Sequence, residues 1–292
     1  MKHTGKYRRR FGDRPDGRRI RTLDPFFSVA TYIMKKKSSS SNFFSSSVIV
    51  TEVDNYLRAK RRDNMPGLGL LHFFIAAYVR IVSQKPALNR FVSGQKIFAR
   101  YDIVVNLTVK KELTVDGQET TIKVHFDPSD TIDIVYEKVQ KAVQEAKREG
   151  DSNKTDKAVR ILYFVPGLIL RLVVRLLEIM DFFGVMPRSL IEASPFHGSI
   201  FISDLGSIGL PPVNHHLYDF GNIPMFLCFG TKTRSTSDGS NAVSRSVSYT
   251  LTMDDRICDG FYYAGVLKSI QKIFRNPRIL DTPPETVVQD IE

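Results

Sequence analysis

The sequence predicts an α/β fold in which helices pack on a mixed sheet, and three observations carry that expectation. Stretches that alternate as strands do, Ile97 to Lys110 and Ser246 to Met253, are interleaved with stretches at helical spacing, Leu68 to Gln84 and Thr131 to Arg148. Strand-rich and helix-rich segments are mixed without a clean break, and no internal repeat is present, which points to one domain rather than two. At 292 residues, 42% hydrophobic and 11% aromatic, the chain can bury a sizeable core.

Taken in order, Leu23 to Lys37 reads as a helix with Phe26, Phe27, Ala30, Ile33 and Met34 on its apolar face and Pro25 in its first turn. The low-complexity stretch 35–47, KKKSSSSNFFSSS, reads as a loop, and SVIVTEV (47–53) as a strand leading into a short basic helix that ends near Arg62. Pro66-Gly67 breaks the chain before the apolar helix Leu68 to Gln84, which stops before Pro86. Residues 91–126 form a meander, with Asp116-Gly117 as a hairpin turn. After the helix Thr131 to Arg148, the polar run 149–157 is a linker. Further strands follow at Ser199 to Ser203 and Ile223 to Gly230, and the polar loop KTRSTSDGSN (232–241) returns to the last strand.

The formal charge of +11 is concentrated at the start. Nine Lys/Arg against Asp13 and Asp16 leave +7 in the first 21 residues, so residues 1–17 read as a basic arm. No motif with interleaved aromatic residues follows it, which argues against nucleic acid as a partner. Two cysteines, Cys228 and Cys258, make no disulfide framework and no zinc spacing, and no apolar signal core opens the chain. A cytoplasmic protein, soluble or peripheral to a membrane, is the expectation.

Residues 161–186 are mostly apolar, with Arg171, Arg175, Glu178 and Asp181 as one narrow polar stripe. Pro166-Gly167 and the internal charges argue against a membrane span. Two readings stay open, burial against another copy or a partner protein, and a helix lying in a membrane interface.

At the other end of the chain, the alternating strand runs into the turn Asp254-Asp255-Arg256-Ile257-Cys258-Asp259-Gly260 and then a helix with Phe261, Ala264, Val266, Leu267, Ile270, Ile273 and Phe274 at helical spacing. Asp259 is placed to cap that helix by accepting from its first-turn N–H groups. By itself the turn is a cap with two further carboxylates.

Together, SIFISDLGSIG (199–209) and DDRICDGFYYAGVLKSIQKIFRNP (254–277) resemble the catalytic domain of the dihydrolipoyl acyltransferases of 2-oxo acid dehydrogenase complexes, related in fold to chloramphenicol acetyltransferase. Arg18 to Met34 is similar to the family's first helix, TEVDNYL to the strand-to-helix step after it, and HFFIAAYVRIVSQKPALN to a helix ending at P-x-L-N. SPFHGS and HHLYDFG are similar to stand-alone proteins of this type, which lack a lipoyl domain and a long Ala/Pro linker. The resemblance implies a domain from 18 to 292, a homotrimer or larger assembly with sites between subunits, and coenzyme A as substrate, without a metal. It implies that Ser203 bonds the oxyanion and that Asp259 pairs with an arginine near the first helix, Arg21 first and Arg19 next. Relative to the family, about 158–192 reads as a hydrophobic helical insertion.

Asp255 stands where the family has its histidine base. An ordinary carboxyl titrates near 3.9 and an imidazole near 6.5, so carboxylate is the weaker base toward a thiol by ~2.6 pH units, or about 3.5 kcal/mol of proton-transfer driving force. The substitution leaves two expectations, an acyltransferase with altered acid–base chemistry or a non-catalytic trimeric scaffold of the same fold. His215 and His216, a dozen residues after Ser203, are the candidates to supply an imidazole, with His197 and His125 behind them. Cys258 before the cap is a further candidate nucleophile, at a position where the family often has a small or apolar residue facing the core.

Overall fold

The computed structural model describes residues 7–110, 119–148, 163–236 and 243–292. Six strands form a mixed sheet in the order β2-β9-β8-β7-β5-β6, made of β2 (Ser41–Ile49), β5 (Ile103–Lys110), β6 (Glu119–Phe126), β7 (Ile200–Asp204), β8 (Met225–Thr236) and β9 (Val243–Asp254). β7 runs parallel to both β5 and β8, and the remaining pairs are antiparallel. A smaller antiparallel sheet holds β1 (Gly17–Arg19), β4 (Lys96–Arg100) and β3 (Arg90–Ser93).

One face of the large sheet is covered by α2 (Thr51–Arg62), α3 (Leu70–Gln84), α4 (Ile132–Arg148) and α7 (Gly260–Arg275). In α3, which starts after Gly69 and ends before Pro86, every residue from His72 to Ser83 is buried. Its Phe74 ring stacks on Phe229 of β8 at 4.5 Å and meets Phe274 of α7 at 5.1 Å, so three elements share one aromatic contact. The opposite face carries Phe201, Phe226 and Cys228, covered by the segment 210–223 through Leu217, Tyr218 and Ile223.

Several sequence expectations change here. Residues 41–49 are a strand, not a loop, paired along their whole length with β9 from Ser41↔Asp254 to Ile49↔Ser246. Only Phe44 and Val48 of this stretch join the core, and the serines fit an edge strand, where polar residues keep an open hydrogen-bonding edge solvated. The strand expected over 47–53 ends at Ile49, and Thr51 already begins α2, whose first turn holds Glu52 and Asp54. The polar loop expected from Lys232 contributes its first residues to β8, which extends to Thr236. The Asp116-Gly117 turn, the linker 149–157 and residues 237–242 lie outside the described residues. β5 and β6 pair on either side of that turn, from Ile103↔Phe126 to Lys110↔Glu119.

From Tyr7 onward the basic N-terminal stretch is docked rather than a free arm. Arg14, 1% exposed, bonds Asp16 through Nε at 2.9 Å and Asp181 through Nη2 at 2.6 Å. Asp181 ends α5 (Gly167–Phe182), so it leaves the expected polar stripe and is buried, while Arg171, Arg175 and Glu178 stay exposed. Its Oδ1 also meets His197 Nε2 at 3.2 Å, and His197 Nδ1 meets Ser194 Oγ at 2.8 Å, just past α6 (Arg188–Ala193). Burial alone would raise the Asp181 carboxyl, but the His197 hydrogen bond and the Arg14 charge outweigh it and hold it well below the carboxylate range. Burial depresses His197 below the usual histidine value, against the pull of Asp181.

The unfolded chain therefore takes up a proton at His197 before the folded one does, so this group lowers stability progressively as pH drops below about 6.5. Depressed Asp181 adds a loss at lower pH, below about 3.8. The expected outcome is that His197→Gln flattens the pH dependence of thermal unfolding between about 6.5 and 5. Melting curves across that range check it, and an unchanged slope would contradict it.

Candidate active site

Asp254 and Arg256 build the turn that leads into α7. Asp254 ends β9 and is 1% exposed, and the Arg256 guanidinium grips its carboxylate with Nε at 2.8 Å and Nη2 at 2.7 Å. Arg256 Nη1 donates to the Met34 carbonyl at 3.0 Å, just after α1 (Pro25–Ile33), and Ser40 Oγ donates to Asp254 at 3.0 Å. Tyr263 of α7 donates to the Asp254 carbonyl at 2.6 Å. Both charges are buried but each carries several hydrogen bonds, which offsets the cost of desolvation. Asp254 is thus not one of two further solvated carboxylates beside a cap, but half of a buried ion pair. The signal available was the i,i+2 spacing of opposite charges between two buried strand and helix ends.

Asp259 caps α7 as expected, accepting from the Tyr262 N–H at 2.7 Å. Its expected pairing with Arg21 is not formed. Arg21 lies before α1 and bonds Asp13 at 3.1 Å and the Phe11 carbonyl, while Arg19 in β1 pairs its backbone with Phe98. The job assigned to an Asp259–Arg21 pair, holding the turn, is done by Asp254 and Arg256. Asp255 is half-buried: its N–H donates to the Ser40 carbonyl at 2.8 Å and its carboxylate accepts from Asn42 Nδ2 at 2.6 Å. Asn42 sits on the side of β2 that carries Phe44 and Val48, the helix-covered side of the sheet.

Ser203 lies one residue from the end of β7, half-buried, and among the described residues its hydroxyl makes no hydrogen bond within the chain. The turn after it brings Gly206 against β8, where an added Cβ would come within 2.5 Å of the Gly230 carbonyl oxygen, so glycine permits this approach. β8 is irregular there, with its register to β9 shifting between Phe229 and Lys232. Asp204, bonded to the Ser207 N–H, is raised by burial.

Within one chain Ser203 and Asp255 are far apart. Ser203 pairs with Cys228, and Cys228 with Thr250, so Asp255 lies two strands across and five residues along. At a rise of about 3.3 Å and a strand spacing of about 4.8 Å, that is roughly 19 Å. His215 lies between them in level. Its ring stacks on Phe226 at 3.8 Å with an interplanar angle of 12°, on the same sheet face as Phe201, and Thr252 Oγ1 holds its carbonyl at 2.6 Å. Its Nδ1 meets the His216 carbonyl at 2.7 Å, and burial lowers its pKa. His216 is exposed and stacks on His215 at 4.7 Å. Neither ring is brought to Asp255, which faces Asn42 on the other side of the sheet.

The remaining candidates are occupied elsewhere. His197 belongs to the buried Asp181 network, and His125 bonds Glu192 at 3.1 Å. Cys258 is buried, and burial pushes its thiol up to about 12, which removes it as a nucleophile near neutral pH. Among the described residues no cluster of side chains could hold a metal ion.

No family model matches the sequence, and no curated protein matches it by sequence. The fold has many solved counterparts. A probable dihydrolipoamide acetyltransferase from Listeria monocytogenes is 16% identical, with 87% of this chain and 93% of that one covered at a TM-score of 0.55. The cubic core of a pyruvate dehydrogenase multienzyme complex gives 13% identity over 90% and 94%, with a TM-score of 0.58. A dihydrolipoamide acetyltransferase from Azotobacter vinelandii, whose catalytic mechanism was probed at a serine, a histidine and an asparagine, gives 13% over 87% and 88%, with a TM-score of 0.57. A chloramphenicol acetyltransferase is 12% identical over 87% and 99%, at 0.53. The chain has the chloramphenicol-acetyltransferase-like fold shared by these acyltransferase cores.

Breaking the buried pair leaves one charge without its partner, so Arg256→Met is expected to cost about 3–5 kcal/mol of stability. Asp259→Ala, which removes one exposed cap, is expected to cost about 1 kcal/mol. Urea unfolding of the two variants checks the ranking, and an equal or reversed order would contradict it.

Proposed function

We propose that the chain is a coenzyme A-dependent acyltransferase-like protein, moving an acyl group between coenzyme A and an acceptor thiol, hydroxyl or amine with altered acid–base chemistry. The observation that carries this reading is Ser203. A hydroxyl without a partner, half-buried at the end of a strand and pinned by a glycine turn, is free to donate to a developing oxyanion. Coenzyme A would bring the thioester, and Ser203 would stabilise the charge that forms on its carbonyl oxygen.

The roughly 19 Å between Ser203 and Asp255 supports a site assembled from two copies. A homotrimer, or a larger assembly, provides this, with Ser203 of one copy facing the 254–260 turn of the next. Asp259 caps α7 and keeps the turn's backbone fixed; Asp255 is the residue that the sequence resemblance sets where a histidine base is expected. A carboxylate is a weaker base than an imidazole, and the one at Asp255 is already held by Asn42, so acyl transfer is expected to be slow. His215 and His216, on the Ser203 face of the sheet, remain the imidazoles nearest in level to that serine.

The Asp255–Asn42 bond favours a second reading, a non-catalytic trimeric binding or scaffold protein of the same fold. Calorimetry with acetyl-CoA, followed by a thiol-release assay over a panel of acceptors, separates the two. Binding with measurable release that Ser203→Ala lowers by at least tenfold is expected; binding without turnover supports the second reading, and no binding overturns the first. Asp255→His is expected to raise the transfer rate on the order of 100-fold, the usual contribution of a placed general base. His215→Ala with His216→Ala that leaves the rate unchanged would remove those two from the mechanism.

A further inference from the structure

Two helices present apolar faces that no described residue covers. In α5, Leu170, Val173, Leu177 and Met180 are half-buried with spacing three, four and three, so that face rests on the body. The face turned away carries Leu168 at 78% exposure, Leu172 at 72%, Leu176 and Ile179, followed by Phe183. In α1, Phe26 at 74%, Val29 and Ile33 at 76% lie at i, i+3 and i+7 on one outward face.

The C-terminal ends of the two helices are tied to one hairpin turn. Gly94 and Gln95, both at positive φ, join β3 to β4. Thr31 of α1 donates to the Gln95 carbonyl at 2.8 Å, and Ser93 donates to the Asp181 carbonyl of α5 at 2.8 Å. Gly94 lies against the Phe182 carbonyl so closely that any Cβ would collide with it. Between α5 and the residues that follow α1 is a cleft of about 320 Å³ lined by Lys35, Lys36, Gly94, Arg175 and Phe182, among others.

The border of this face is cationic. Lys35, Lys36, Arg171 and Arg175 are all exposed, and the opposing acid on α5 is Glu178, paired with Arg175 at 3.1 Å. The other carboxylates nearby are engaged, Asp219 with Ser38, Asp181 with Arg14 and Asp24 as the cap of α1.

We infer that the face formed by α1 and α5 docks on the surface of an anionic phospholipid bilayer, with the Leu168–Leu172–Ile179 and Phe26–Ile33 strips entering the interface and headgroup phosphates meeting Lys35, Lys36, Arg171 and Arg175. Charge complementarity selects this occupant. A second copy meeting this face across a two-fold axis would set the same four cations against each other, and the head-to-tail contact of a trimer is distinguished by the test below. Exposed Leu, Ile and Phe flanked by Lys and Arg are what an interfacial helix uses, and anionic lipid supplies the missing negative charge. No helix among the described residues is long and apolar enough to cross a membrane, so the contact is one of lying on the surface. The inference stands apart from the acyltransferase reading, because none of these residues belongs to that site.

Flotation of the full chain with phosphatidylcholine vesicles, with and without phosphatidylglycerol, tests it. Recovery with the anionic vesicles only, weakened by salt, is expected. Leu168→Glu with Leu172→Glu, at exposed positions outside the core, should abolish flotation while the circular dichroism spectrum and melting temperature stay as in the wild type. Lys35→Ala with Lys36→Ala should weaken binding roughly thirtyfold, as two cations leave the lipid surface. A wild-type chain that floats with neither vesicle overturns the inference. So does a double Glu variant that floats like the wild type, or one that only dissolves a larger assembly, which would assign the face to a second copy.

Discussion

The Asp254–Arg256 ion pair is the constraint on which the candidate site depends. It is buried on both partners and reaches four parts of the chain at once, through the carbonyl after α1, the serine before β2, the end of β9 and the first turn of α7. A carboxylate and a guanidinium in a dry turn cannot drift without each losing its counter-charge, so the backbone from 254 to 260 is held in one shape. Asp255 and Asp259 inherit their positions from it. One meets Asn42 of the edge strand and the other caps the helix, and both hydrogen bonds are local consequences of the same rigid turn.

Rigidity at the turn and distance to Ser203 together define what one chain can do. The placement of β7 beside β8 puts Ser203 two strands across and five residues along from Asp255. The same sheet face holds His215 flat on Phe226, an arrangement that buries most of an aromatic contact and leaves the imidazole with a backbone carbonyl as partner. In the proposed reading, a single copy offers the Ser203 hydroxyl, and a neighbouring copy brings the turn that completes the site.

Much of this was legible in the sequence where a local rule and the tertiary fold agree. The cap at Asp259, the helix after it, the strand ending at Ser203 and the helix between Gly69 and Pro86 follow from periodicity and from glycine and proline placement. The same patterns carried the resemblance that the solved structures match in fold. What stayed hidden depends on partners far away in the chain. Serines at 41 and 45–47 look like a loop until β9 is seen beside them, and Asp181 looks like part of a polar stripe until Arg14, 167 residues earlier, is seen to take it. Arg21 was assigned by position in a motif, but a nearer carboxylate, Asp13, holds it.

The most direct test is a structure of the assembled protein with acetyl-CoA bound. The expected result is a symmetric assembly in which the thioester lies between Ser203 of one protomer and the 254–260 turn of its neighbour. A monomer that binds acetyl-CoA within a single chain, or an assembly in which Ser203 faces solvent away from that turn, would contradict the central claim.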